Sequence, residues 1–122
     1  MKEIKILIAE DYIDNFLLLK AQLKDLPYNL IHCLDGEKAL EKIESEQFDL
    51  YLIDIQMPVL DGYDFIRIIR ENNNETPAIA QTAHAFESDQ EKCIKAGYND
   101  YISKPIKKSV LIEKINLLVS SN

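Results

Sequence analysis

Apolar runs with a strand-like character alternate along this chain with apolar positions at helical spacing. The period switches between the two from one end to the other. Ile4 to Ala9 reads as a buried strand. Ile13, Phe16, Leu17, Lys20, Leu23 and Leu26 then give a helical stripe with one polar interruption, stopped by Pro27. Tyr28 to Cys33 is a second short strand, and Asp35-Gly36 turns the chain into a helix carrying Ala39, Leu40 and Ile43. Residues 48–54 form a third strand, with the nearly continuous apolar character of a strand covered on both faces. Asp61-Gly62 opens a helix bearing Phe65, Ile66 and Ile69.

Asn72 to Thr76 is a polar loop, and Pro77 suits the start of the fourth strand, Ala78-Ile79-Ala80-Gln81. Ser88 and Glu91 have the spacing of a capping box, so a helix is expected to begin after Ser88 and run to about Ala96. Gly97 stands where a left-handed cap favours glycine. Residues 99–103 are the last strand, and Val110, Leu111, Ile115, Leu118 and Val119 line a helix starting near Lys107. Five strand–helix units with short loops, without repeat or internal linker, make an α/β fold: a parallel sheet with helices on both faces. A chain of 122 residues is one such domain, 1–122.

Composition narrows the function. A hydrophobic fraction of 47% with 29% charged residues fits a soluble globular fold rather than a disordered chain. The net charge of −7 argues against direct contact with nucleic acid, which needs Lys and Arg against phosphates, and against an anionic membrane surface. Lys104, Lys107 and Lys108 form only a short basic stretch, read as a helix start and solvated face. Cys33 and Cys93 match no metal spacing and read as small packed residues in a reducing compartment. No signal peptide and no apolar run near 20 residues is visible, so the expected location is cytoplasmic.

The chemistry sits at the carboxyl ends of the strands. Glu10 and Asp11 follow the first strand, Asp54 closes the third, Thr82 the fourth, and Lys104 follows the fifth. Ligands of open α/β sheets bind outside these ends, at a topological switch point. Buried carboxylates cost desolvation energy and serve stability poorly. If the first and third strands are neighbours, the three acids converge on one anionic pocket, suited to a hard cation such as Mg²⁺.

Each residue also has a plainer reading. Glu10 or Asp11 alone could cap the first helix, Asp54 could be a turn residue, and Thr82 could simply end a strand. Lys104 could be a solvated charge, Tyr101 a packed strand tyrosine, and His84 an ordinary loop histidine. It is the ordered set of five that outweighs these.

That set resembles the receiver domain of two-component response regulators. Ile6 to Asp11 resembles the family's opening acidic pair. Asp54-Ile55-Gln56-Met57-Pro58-Val59-Leu60-Asp61-Gly62 resembles its phosphoacceptor strand and loop. Thr82-Ala83 resembles its switch dyad, and Lys104-Pro105 its basic end. The likeness covers essentially the whole chain and leans toward receivers of phosphorelays and hybrid sensor kinases.

The resemblance implies a flavodoxin-like five-stranded sheet of order 2-1-3-4-5 and a cis Lys104–Pro105 bond. It implies that Asp54 accepts a phosphoryl group from a phosphohistidine on a histidine kinase or histidine phosphotransfer protein. Mg²⁺ (or Mn²⁺) would be held by Asp11, Asp54, the Ile55 carbonyl and, through water, Glu10. Lys104 would meet a phosphoryl oxygen. Thr82 and Tyr101 would carry the change to the face of the fourth helix, fifth strand and fifth helix, and so to an unidentified protein target. Gln56 and His84 would tune the lifetime of the acyl phosphate.

Two departures stand out. Tyr12 replaces a common asparagine, and Gln81 interrupts a strand that is commonly more apolar. An aspartate-nucleophile phosphatase would want an acid where Gln56 stands, and a flavodoxin-like electron carrier would want a glycine- and hydroxyl-rich first loop. A degenerate receiver that binds without phosphorylation would not keep all five residues. The start at Met1 suits a single-domain regulator, whereas the phosphorelay-like motifs suit a receiver taken from a larger protein.

Overall fold

The structure is a computed structural model and describes residues 3–83 and 86–120. Five strands and five helices alternate: β1 (Ile4–Ala9), α1 (Ile13–Gln22), β2 (Tyr28–Cys33), α2 (Gly36–Ser45), β3 (Leu50–Asp54), α3 (Gly62–Glu71), β4 (Ala78–Thr82), α4 (Glu87–Ala96), β5 (Asp100–Ser103) and α5 (Lys108–Ser120). The sheet is parallel throughout in the order β2-β1-β3-β4-β5, as the resemblance implied.

Strand alternation sorts the apolar residues into two cores. Leu7, Ala9, Tyr51, Ile53, Ala78 and Ala80 face α2, α3 and α4, where Phe65, Ile66 and Ile69 are nearly or fully buried. Ile6, Ile8, Leu50, Leu52 and Ile79 face α1 and α5, against Phe16, Leu19, Leu111 and Ile115. Burying a side chain such as Phe65 contributes about 1.5–3 kcal/mol. Both central faces are thereby dry, which accounts for the unbroken apolar runs of β1 and β3.

Local chemistry sets the boundaries. The Asp35 side chain accepts from Lys38 N at 2.8 Å and that of Asp61 from Asp64 N at 2.9 Å, capping α2 and α3. Gly97 takes φ 127° after α4, a backbone state that a side chain would strain. The Lys104–Pro105 bond is cis.

Five sequence expectations shift, the simplest being that β5 begins at Asp100 rather than at residue 99. α1 ends at Gln22, and the chain reaches Leu26 through a turn in which Leu26 N donates to Leu23 O. Its buried residues are Phe16 and Leu19, whereas Ile13 and Leu17 are exposed. The run Phe16-Leu17-Leu18-Leu19 is apolar all round, so its period could not choose a face. β3 begins at Leu50, because Asp49 spends its backbone N–H on Lys5 O and its carboxylate on Lys5 N. α4 starts at Glu87, with Asp89 N and Gln90 N both donating to Phe86 O. Ser88 therefore lies inside the first turn, not at the cap.

Candidate phosphoacceptor site

Register brings the chemistry together. Ala9 pairs with Ile53, Asp54 with Gln81, and Thr82 with Ser103, so four strands end on one rim. Glu10 and Asp54 are buried there at 2% and 4% exposure, and Asp11 beside them is exposed. One carboxylate oxygen from each of Glu10, Asp11 and Asp54 lies within 4.8 Å of the others. Lys104 Nζ reaches in from the end of β5, 2.6 Å from Asp54 Oδ2 and 3.4 Å from Glu10 Oε1.

Backbone donors fix the two buried acids. Asp54 Oδ1 accepts from Gln56 N at 2.9 Å, and Glu10 Oε2 from Tyr12 N at 3.2 Å. Glu10 therefore holds the turn into α1, and the residue preceding that helix is Tyr12, without a side-chain cap. His32 Nε2 lies 2.7 Å from the Glu10 carbonyl, and its ring stacks on Phe16 at 4.1 Å.

One lysine cannot neutralise three acids. Burial and the neighbouring Asp54 charge raise the Glu10 pKa above its ordinary 4.5, against the opposing pull of Lys104. Burial works against the charge of Lys104. Its hydrogen bond and attraction to Asp54, with help from Glu10, nonetheless raise its pKa above 10.5. The donor set is three carboxylates around one ammonium, all oxygen on the anionic side, and it fits a hard divalent cation.

The loop after β3 closes the site. Gly62 N donates to Ile55 O at 2.9 Å, and a Cβ on Gly62 would come within 2.8 Å of Ile55 Cα. Only glycine lets α3 start so close to the end of the strand that carries Asp54. The Ile55 carbonyl, expected at the metal, thus also accepts a hydrogen bond that ties α3 to the turn, using one of its two lone pairs. Val59 takes φ 71° between Pro58 and Leu60, where Leu60 N donates to Pro58 O at 2.7 Å. That tight turn at a β-branched residue had no signature in the sequence.

Thr82 is buried, and its carbonyl accepts from Lys104 N at 2.9 Å. By strand alternation it shares the sheet face of Ala78 and Ala80, on which half-buried Tyr101 packs. Lys114 Nζ sits 5.3 Å from the Tyr101 ring centroid and 2.9 Å from Asp100 Oδ1. The exposed Gln56 lines the open side of the centre. His84 lies outside the described residues. Beyond the rim, a cleft of about 600 Å³ is lined by Asp11, Gln56, Met57 and Thr82, with Asp89 and Lys92 from α4. The sequence had not singled out these last two.

Known proteins resemble this chain over nearly its whole length. The sequence pattern of the response regulator receiver domain matches residues 6–116. Sensor protein EvgS of Escherichia coli is 38% identical over 110 residues, 90% of this chain and 9% of EvgS. The receiver domain of sensor histidine kinase PA1611 from Pseudomonas aeruginosa has a magnesium ion coordinated in its active-site cleft. It superimposes with a TM-score of 0.87 at 38% identity, covering 97% of this chain and 98% of that one. The Saccharomyces cerevisiae complex of histidine phosphotransfer protein Ypd1 with the receiver domain of Ssk1 matches with a TM-score of 0.90 at 25% identity, covering 98% of this chain and 90% of its counterpart. Relatives such as EvgS are much longer proteins, of which this chain spans about a tenth or less. With that sheet order, that acidic rim and these relatives, the chain belongs to the response regulator receiver domains, the phosphorelay signalling modules built on a flavodoxin-like sheet.

Proposed function

We propose that Asp54 of this receiver accepts a phosphoryl group from a phosphohistidine and that Thr82 and Tyr101 turn the modification into a change of surface. The observation that carries the reading is the meeting of buried Asp54 with Lys104 at 2.6 Å beside two further carboxylates. A carboxylate oxygen of Asp54 attacks phosphorus and the phosphorus–nitrogen bond of the donor breaks, its electron pair returning to the imidazole. Lys104 exchanges its contact with Asp54 for one with a phosphoryl oxygen, keeping its charge where negative charge builds. The Gln56 N–H holds the other Asp54 oxygen and so orients the nucleophile.

The residues fit Mg²⁺ (or Mn²⁺), with Asp11 and Asp54 as direct ligands and Glu10 behind them. The backbone oxygen comes from the turn after Asp54, where Ile55 and the adjoining Gln56 both line the cleft. When bound, the ion supplies the divalent charge that lets three carboxylates receive a dianion. Glu10 keeps the cluster anionic, and Gln56 and His84 stand two residues beyond Asp54 and Thr82, where their size and polarity govern approaching water. The only group transfer assigned to this chain is its own phosphorylation and dephosphorylation.

A histidine kinase or histidine phosphotransfer protein is the donor, a reading supported by the likeness to EvgS and to the Ssk1 receiver bound to Ypd1. The output is a population shift of the face formed by α4, β5 and α5, read by a protein target. The reading places the domain in the cytoplasm, and no helix among the described residues is long and apolar enough to cross a membrane. Incubation with acetyl phosphate and Mg²⁺ is expected to add one phosphoryl mass, abolished by a chelator and by Asp54→Asn. Undiminished labelling of Asp54→Asn would overturn the assignment.

A further inference from the structure

The backbone of Glu10 is held from β2 at both of its polar atoms. Its N–H donates to Cys33 O at 3.0 Å, and its carbonyl lies 2.7 Å from His32 Nε2. A carbonyl oxygen only accepts, so Nε2 carries the hydrogen of this contact. His32 pairs with Ile8 in the ladder, which puts its side chain on the sheet face covered by α1 and α5. There its ring stacks on Phe16, with centroids 4.1 Å apart and planes within 4° of each other. One half-buried imidazole thus grips the chain at two points, the end of β1 and the helix α1. Asp11 lies between them. It is exposed, and Tyr12 before α1 offers no side-chain cap. A leucine in place of His32 would fill the same space but leave the Glu10 carbonyl without this donor.

We propose that His32 is a positioning residue: by tying the Glu10 carbonyl to Phe16 it fixes the segment that presents Glu10 and Asp11 to the divalent cation. The inference rests on the metal reading given above and adds to it a residue outside the acid cluster. Carboxylates gathered for a cation repel one another until it arrives, and that repulsion favours opening the turn that carries two of them. A backbone tie made in advance removes the cost of ordering the turn at the moment of binding. His32 acts through the backbone of Glu10 and supplies no ligand of its own. Its loss therefore weakens the affinity for the cation and leaves the set of ligands as it was.

Two substitutions separate the donor from the ring. His32→Phe keeps a flat ring against Phe16 and removes the donor, whereas His32→Gln keeps an amide N–H for the Glu10 carbonyl and removes the ring. In ¹H–¹⁵N NMR titrations of the unphosphorylated chain with MgCl₂, the amides of Asp11 and Gln56 are expected to shift saturably. His32→Phe is expected to weaken that binding by about tenfold within the dispersed spectrum of a folded domain, and His32→Gln to recover most of the loss. A histidine that only supported the fold would lower the urea midpoint and leave the Mg²⁺ affinity of the folded protein unchanged. The tautomer is an independent readout: long-range ¹H–¹⁵N correlation at mildly alkaline pH is expected to show the His32 ring protonated at Nε2. Wild-type affinity in His32→Phe, no recovery in His32→Gln, unfolded spectra for both variants, or a ring protonated at Nδ1 alone would each overturn the inference while the metal reading stands. A chain that shows no saturable Mg²⁺ shift before substitution would overturn the metal reading, and this inference with it.

Discussion

The two ends of this sheet both gather charge, and they do so in opposite ways. At the amino end, Arg70 donates from Nε to Gly97 O, from Nη1 to Asn74 O and Thr76 O, and from Nη2 to Asn99 Oδ1, all at 2.8–3.0 Å. Asn99 Oδ1 also accepts from Ala78 N, and Asn74 braces Thr76 N and the Tyr51 hydroxyl. Burial lowers the Arg70 pKa from its ordinary value, but every contact is to a neutral oxygen and fixes a loop. At the carboxyl end, two buried carboxylates and an exposed third share one lysine. The first arrangement is closed: its donors are answered by the fold itself. The second is left open, with charge that only something from outside can balance.

If that contrast is right, the largest effect on folding belongs to the end with no chemistry. Arg70→Met keeps the apolar stem and removes the fork, leaving Gly97 O, Asn74 O and Thr76 O without their donor. It is expected to lower unfolding free energy by about 2–4 kcal/mol in urea titrations. The surviving folded fraction should still be labelled at Asp54 by acetyl phosphate. A loss of labelling out of proportion to the loss of fold would mean the two ends are not separate.

Asp54→Asn is the mirror case. It is expected to abolish labelling, yet it removes one of two buried like charges and leaves Glu10 to pair with Lys104. In chelator-treated protein it is expected to raise stability by about 1 kcal/mol, as substitutions in strained functional sites do. Destabilisation as large as that of Arg70→Met would show the Asp54–Lys104 pair to be structural.

These two ends also differ in how far the sequence revealed them. Asp54, Glu10, Thr82 and Lys104 each follow or close an apolar run, and the sheet order alone makes such positions converge. Arg70 sits in a helix of ordinary pattern, and its partners lie at 74, 76, 97 and 99. Nothing links them until β4 and β5 are laid side by side. The same holds within the site. The oxygen of Ile55 was placed at the site by position, and only the close approach of Gly62 shows the hydrogen bond it accepts. Nor could the period of α1 select Phe16 and Leu19 over Ile13 and Leu17, because four apolar residues in a row have no polar face. Gln81 was visible as an anomaly in its strand, and the structure shows it buried there, its amide nitrogen without a partner among the described residues.

A smaller effect appears as a pH slope. Because burial and Asp54 raise the folded pKa of Glu10 above 4.5, the folded state holds more protons than the unfolded chain between 4.5 and that raised value. Stability of the metal-free protein should therefore fall as pH rises through this window and level off above it. Glu10→Gln should remove this component of the slope, and saturating Mg²⁺ should oppose it by favouring the ionised carboxylate. Chemical denaturation at a series of pH values checks the sign. A rising contribution from Glu10 in that window would mean Lys104 balances the cluster alone.

The smallest expected effect tests whether strain adds to the unbalanced charge of the carboxyl end. Val59 holds φ 71° in the tight turn after Asp54, although its side chain is 74% exposed and contributes little burial. A β-branched residue in that region carries a conformational cost that glycine avoids. Glycine in turn loses more backbone freedom on folding, and the two terms oppose each other. Val59→Gly is therefore expected to change stability by no more than about 0.5–1 kcal/mol, on the stabilising side. The more telling readout is the labelling rate, because this turn carries Gln56 and Gly62, which orient Asp54 and engage Ile55. If the valine holds the turn in its working shape, the variant gains stability while labelling slows. If stability falls and the rate is unchanged, the turn is ordinary loop structure, and the open end of the sheet owes its character to charge alone.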